Sequence, residues 1–216
     1  QRGIRDRDTR VNYPRTPHLP WSPGASHDDV YLADINHFIG KHVVISEKMD
    51  GENTSLYRHG LHARSLDSRY HPSRDWVKAL HAQVGYRIPA GWRICGENCF
   101  AQHSISYHHL DSYFLAFSVW NEHNLCLSWR EAQDFLHELG LTPVPVIFEG
   151  LFDAEAVQQI CLDTKVSEGY VIRRTGEFAF ADFANNGAKW GRSNHVQSEQ
   201  HWMHQAIKAN GLRNPS

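Results

Sequence analysis

At 216 residues the chain is long enough for one well-packed domain and short for two. With 22 Lys and Arg against 24 Asp and Glu its formal charge is -2, which excludes a global positive field for capturing nucleic acid, so any such partner must be met by a local patch. The four cysteines, Cys95, Cys99, Cys126 and Cys161, form no CxxC pair, which predicts free thiols in a reducing compartment, by default the cytoplasm. No apolar run approaches the roughly 20 residues of a membrane span, so no membrane partner is expected, and the opening "QRGIRDRDTR" is charged rather than signal-like.

In chain order, residues 1–27 include "YPRTPHLPWSPG" and lack any helical or alternating period, which predicts an extended arm packed on a domain spanning 28–216. Within the arm, Arg15 and His18, set among Pro14, Pro17 and Trp21, form a candidate phosphate-binding surface. "HVVIS" (42–46) reads as a strand that delivers Glu47 and Lys48 at its end, broken by Gly51. "NTSLYRHGLHARS" reads as a hairpin turning near His59-Gly60, and "SRDWVKALHAQV" as a helix with Trp76, Val77, Leu80 and Val84 at helical spacing. Strands are expected at Gly91–Asn98 and Ser112–Trp120.

A helix follows with a capping box, Ser128 to Glu131, and Gly140 at its C′ position. "PVPVIFEG" predicts a strand, and "DAEAVQQICLD" a helix with Asp153 as N-cap. "EGYVIRR" and "FAFADF" predict strands, and "SEQHWMHQAIKANG" a terminal helix. Strands and helices without regular βαβ alternation imply an α+β domain on antiparallel sheet. Trp76, Leu80, Trp129, Phe135 and Trp202 read as packing residues. Cys95, Cys99 and His103 recur every four residues, but strand character at "WRICG" denies them a common helical face and argues against zinc; His103 is instead a candidate neighbour of phosphates.

Lys48-x-Asp50-Gly51 alone is a weak motif, but its company is ordered: Arg64-Ser65, Glu97 in "GEN", Phe117 in "FSVW", Glu168 in "SEGYVIR" and Lys189 in "AKW". That series resembles the covalent nucleotidyltransferase superfamily of ATP-dependent ligases and capping enzymes, and most of all the RNA ligases of the phage nick-sealing type and their bacterial relatives. Asn53, five residues after the lysine, matches the RNA ligases better than the other branches. The resemblance implies an ATP-grasp-like adenylation fold; because the sequence runs only a short way past Lys189, the separate C-terminal domain of many such ligases is not expected here.

The resemblance also implies roles. Lys48 becomes the nucleophile that attacks the α-phosphate of ATP; Asp50 orients it or the metal ion's water; Lys189 stabilises charge on that phosphate. A lysine amine attacks only when neutral, and its ordinary pKa of about 10.4 leaves little neutral form at pH 7, so such a site needs desolvation and neighbouring positive charge. Phe117 stacks on the adenine, Glu47, Asn53 and Arg64 contact the nucleotide or the RNA end, and Glu97 and Glu168 hold Mg2+ or Mn2+. RNA with 5′-phosphate and 3′-hydroxyl ends is the expected partner, with a partner protein as a further source of contacts. Two positions depart from the pattern: Arg192 stands near the place of a second lysine, and Ser118 follows Phe117 where many RNA ligases carry aspartate. A DNA ligase, a guanylyltransferase or a catalytically silent binding module remain open alternatives.

Overall fold

A computed structural model describes residues 10–24, 29–66, 69–193 and 203–214. Two sheets carry the fold. The first, in order β11-β9-β1-β8, is built from β1 (His42–Glu47), β8 (Val146–Leu151), β9 (Gly169–Arg174) and β11 (Gly187–Gly191). The second runs β10-β6-β5-β4-β2-β3, from β2 (Glu52–Tyr57), β3 (Gly60–Ala63), β4 (Arg93–Asn98), β5 (Phe114–Trp120), β6 (Leu125–Cys126) and β10 (Phe178–Ala179). These pairs are antiparallel; β7 (Thr142–Pro143) adds itself to β5 in parallel.

Alternation along the strands explains the layering. In β1, Val43 and Ile45 face a cluster with Phe38, Tyr170 and Ile172, while Val44 faces inward with Met49, Leu115 and Trp129, between the sheets. In β5, Phe114 and Ala116 pack on helices α1 (Asp75–Val84) and α2 (Trp129–Glu138), whereas Leu115 turns toward the first sheet. Cys95 then pairs with Ser118 and Gly96 with Ala116, so Phe117 is an extra residue, a bulge. It reverses the alternation: Val119 returns to the helical side and Phe117 is left against the inter-sheet clusters.

The helix ends follow their sequence signals. Ser128 Oγ accepts from Glu131 N–H at 3.3 Å, and Gly140 adopts φ +72° one residue past the Leu139 cap. Asp153 caps α3 as expected, but that helix is short, Ala154–Gln158. Two other expectations fail. "FAFADF" keeps only β10 as strand and then winds into a 3-10 helix, Phe180–Asn185; Phe178 of the strand and Phe183 of the helix pack with Trp120 and Cys126. The terminal helix is cut short: Met203 is helical, His204 and Gln205 form a turn and a bend, and no helix continues past them among the described residues. Residues 206–213 run extended and pair at Ala101–Ala209 and Leu110–Leu212, anchored by buried Asn210; residues 194–202, including Trp202, lie outside the described residues.

A buried ion pair ties α1 to the start of β2. Arg74 Nε and Nη2 donate to the two Glu52 oxygens, both at 2.7 Å, with each residue no more than 6% exposed. Removing one member of such a pair strands a charge out of water. Arg74→Met should therefore cost about 3–5 kcal/mol in urea unfolding, where a surface pair would cost under about 1 kcal/mol.

Candidate active site

Backbone pairing brings the ends of three strands together. β9 lies between β1 and β11, with Val171 opposite both Ser46 and Lys189. Lys48, one residue past β1, donates its N–H to Gly169 O at 2.9 Å, and Arg192 N–H returns to Glu168 O at 3.0 Å. Gly169 has φ +147°, and a Cβ there would stand 2.0 Å from Trp190 O, so the "EG" step demands glycine. Gly51 is equally constrained: its Cβ would lie 2.4 Å from Asn98 O, and its N–H donates to Glu97 Oε1 at 3.1 Å. The glycine of Lys-x-Asp-Gly thus joins the nucleophile candidate to the glutamate of "GEN".

The opposing sheet supplies the other wall. Asn53 on β2 sits directly across from Glu97 on β4, Phe117 projects from the β5 bulge, and Arg64 follows β3 as an exposed cation. Between the sheets lies a cleft of about 460 Å³, in the usual range for small-molecule sites. Glu47, Lys48, Asp50, Asn53, Arg64 and Glu97 all line it, as do Phe117, Glu168, Lys189 and His103. Arg192 does not: its Nε donates to Glu168 Oε2 at 2.9 Å, Nη1 to Thr164 O at 2.8 Å and Nη2 to Ser104 Oγ at 2.9 Å. It stands behind Glu168, whose other oxygen is 3.8 Å from Lys48 Nζ.

Charged groups of both signs line this cleft and act on one another. Burial, the Lys48 ammonium and, further off, Arg64 and Arg15 pull Lys189 down to about 8, with Asp29 opposing. Burial pushes Glu97 up to about 8 against the pull of Lys48, and burial also raises Glu47 and lowers His103. Asn53 Oδ1 is buried without a hydrogen-bond partner among the described residues, so it fits a donor from a bound molecule such as a sugar hydroxyl. No cluster of three or more His, Cys, Asp or Glu that could hold a metal occurs among the described residues. Glu97 and Glu168, the carboxylates expected to hold a divalent ion, both line the cleft, and magnesium-type ions take only one or two carboxylates beside water and phosphate oxygens.

Some contributors carry no sequence signal. Tyr13, in the proline-rich arm, presents its ring edge-on to Phe117 at 5.3 Å and to Phe183 at 5.5 Å, and lines the cleft with Val171 and Val144. Residues 17–19 pair with β11 around Lys189, whose N–H donates to Pro17 O and whose carbonyl accepts from Leu19 N–H. His18, a candidate phosphate contact from sequence, is 3% exposed and faces Ser22 Oγ at 2.8 Å and Asp29 at 3.3 Å, so it is turned away from any ligand. Ser118 lines the cleft beside Phe117, and its hydroxyl accepts from the Trp120 indole at 3.0 Å.

Two antiparallel sheets closing on two lysines and two glutamates define a nucleotidyltransferase domain of the ligase type. The RNA ligase family model matches residues 41–191, and the chain belongs to that family. No curated protein matches the sequence. Among solved structures, a Naegleria gruberi RNA ligase variant with AMP and Mn aligns at TM-score 0.55 and 14% identity, over 85% of this chain and 56% of that one. The same organism's RNA ligase with pyrophosphate aligns at TM-score 0.53 and 18% identity, over 73% and 51%; a variant with ATP and Mn gives 0.51 and 15% over the same shares. The chain thus spans about half the length of the solved ligases it matches, and the likeness is one of fold.

The Glu97 shift has a definite sign. Its folded pKa, about 8, exceeds the ordinary 4.5, so between those values the native state binds more protons than the unfolded one and stability falls as pH rises. Glu97→Gln should raise the melting temperature at pH 8, and the gain should shrink toward pH 4.5; an equal gain at both pH values would refute this assignment.

Proposed function

We propose that the protein is an ATP-dependent RNA ligase that seals 5′-phosphate to 3′-hydroxyl RNA ends through a covalent Lys48-AMP. The carrying observation is the placement of Lys48 at the strand end between Glu168 and Lys189, at the mouth of a cleft floored by Phe117 and Tyr13. Neutral Lys48 Nζ attacks the α-phosphorus of ATP and pyrophosphate leaves, giving a phosphoramidate. A 5′-phosphate oxygen of RNA then displaces lysine to give RNA-adenylate, and the 3′-hydroxyl attacks the 5′-phosphorus and expels AMP. Because each step is in-line phosphoryl chemistry, positioning and electrostatics supply most of the rate.

In this reading Lys189 holds the α-phosphate and stabilises its developing charge, Phe117 stacks on the adenine, and Asn53, Glu47 and Arg64 contact the nucleotide or RNA end. A bound divalent ion, taken by Glu97 and Glu168, would neutralise phosphate charge and polarise the phosphorus centre. Asp50 holds the lysine loop rather than a ligand: its Oδ2 accepts from Ser104 Oγ at 2.9 Å and Ile105 N–H at 2.7 Å. Arg192 orients Glu168 instead of replacing a phosphate-binding lysine. The cysteines, free in the structure and three of them buried, support a reducing, cytoplasmic setting.

Incubation with α-labelled ATP and magnesium should leave label on the denatured wild-type chain and none on Lys48→Ala. An unlabelled wild-type protein, freed of any AMP already bound, would overturn the covalent reading in favour of nucleotide binding alone. With the adduct formed, transfer of AMP to 5′-phosphorylated RNA and then to a sealed product should require a 3′-hydroxyl.

A further inference from the structure

The nucleophile loop is held from two directions, and both holds meet at one hydroxyl outside the motif series. Ser104 Oγ accepts from Arg192 Nη2 at 2.9 Å and donates to Asp50 Oδ2 at 2.9 Å. Arg192 in turn grips Glu168, which faces Lys48, and Asp50 lies two residues beyond Lys48. The contacts close a ring, Lys48–Glu168–Arg192–Ser104–Asp50, that returns through Met49 to Lys48. A serine hydroxyl suits the junction because it donates one hydrogen bond while accepting another, here from a guanidinium to a carboxylate.

The segment carrying Ser104 is itself fixed. Ile105 N–H donates to Asp50 Oδ2, Tyr107 Oη accepts from Asp50 N–H at 2.9 Å, and Tyr107 N–H donates to Asn210 Oδ1 at 2.8 Å. Asn210, 2% exposed, also donates to Cys99 O at 2.8 Å, and Gln102 N–H bonds Lys208 O at 2.7 Å. Ser104 is thus set on a braced support rather than on a free loop.

We propose that Ser104 is a positioning residue of the adenylation step: it couples the Arg192–Glu168 pair to Asp50 and so fixes the approach of Lys48 to the α-phosphorus. It acts through its neighbours and touches no reacting atom. A lysine aligned for attack needs its last torsions held, and misplacement by a fraction of an ångström lowers the rate of the chemical step without weakening ATP binding.

The inference rests on the lysyl-AMP reading, and single-turnover labelling with α-labelled ATP separates the two. If wild type takes no label, that reading fails. If it labels, Ser104→Ala should slow adduct formation about tenfold at saturating ATP, with the ATP concentration for half-maximal rate within about twofold of wild type. Ser104→Thr, which keeps the hydroxyl, should restore most of the rate. Arg192→Gln and the double variant R192Q/S104A should be equally slow, because the hydroxyl has nothing left to couple once the guanidinium is gone.

Melting temperatures of all four variants accompany the rates. A wild-type rate in Ser104→Ala, a loss that Ser104→Thr does not rescue, or additive effects of the two substitutions would overturn the assignment. A rate that falls only in step with the melting temperature would do the same, as a purely structural role predicts.

Discussion

Two lysine ammonium groups set against each other in a half-buried cleft are the constraint around which the rest is arranged. Like charges there are costly, and the strain is visible at Lys189, whose pKa falls to about 8 from burial and from the charge of Lys48. The fold tolerates the pair because β9 lies between β1 and β11 and fixes their separation by backbone hydrogen bonds, independent of side-chain preference. Two ammonium groups so placed repel each other and would both be attracted to a phosphate, which is the ligand the proposed function calls for.

The carboxylates are distributed to match. Glu168 sits between Lys48 and Arg192, its two oxygens facing one cation each. Glu97 has less compensation: burial dominates over Lys48 and the Gly51 amide, and it moves up to about 8. Arg192 reaches the cleft through Glu168, from a place outside it.

The apolar end of the cleft depends on a backbone irregularity. Without the extra residue in β5, strand alternation would keep Val119 and Trp120 on the opposite faces, and Phe117 would belong to an unbroken pleat. The arm completes this end, since Tyr13 packs edge-on against Phe117 while a few residues later the same segment pairs with β11 around Lys189. One short stretch of chain thereby links the aromatic floor to the cationic end.

The sequence by itself determined the local devices: the strand that ends at Lys48, the Ser128 cap and Gly140 stop of α2, the hairpin of β2 and β3, and the ordered set of charged residues. These depend on short-range periodicity and capping chemistry, which neighbouring residues specify. Tertiary structure decided what neighbours do not encode. "GAKWG" lacks β-branched residues and is strand only because β9 pairs with it, while "FAFADF" has strand composition and winds into a 3-10 turn because its rings pack onto Trp120 and Cys126. Arg192 reads in sequence as a phosphate-binding cation, yet a carbonyl and a carboxylate from residues 164–168 and a hydroxyl from Ser104 claim its donors. His18 reads as an exposed contact and is buried; Tyr13 and Ser104 carry no signal, because the partners of these two lie from 54 to 170 residues away along the chain and meet them only when the two sheets close.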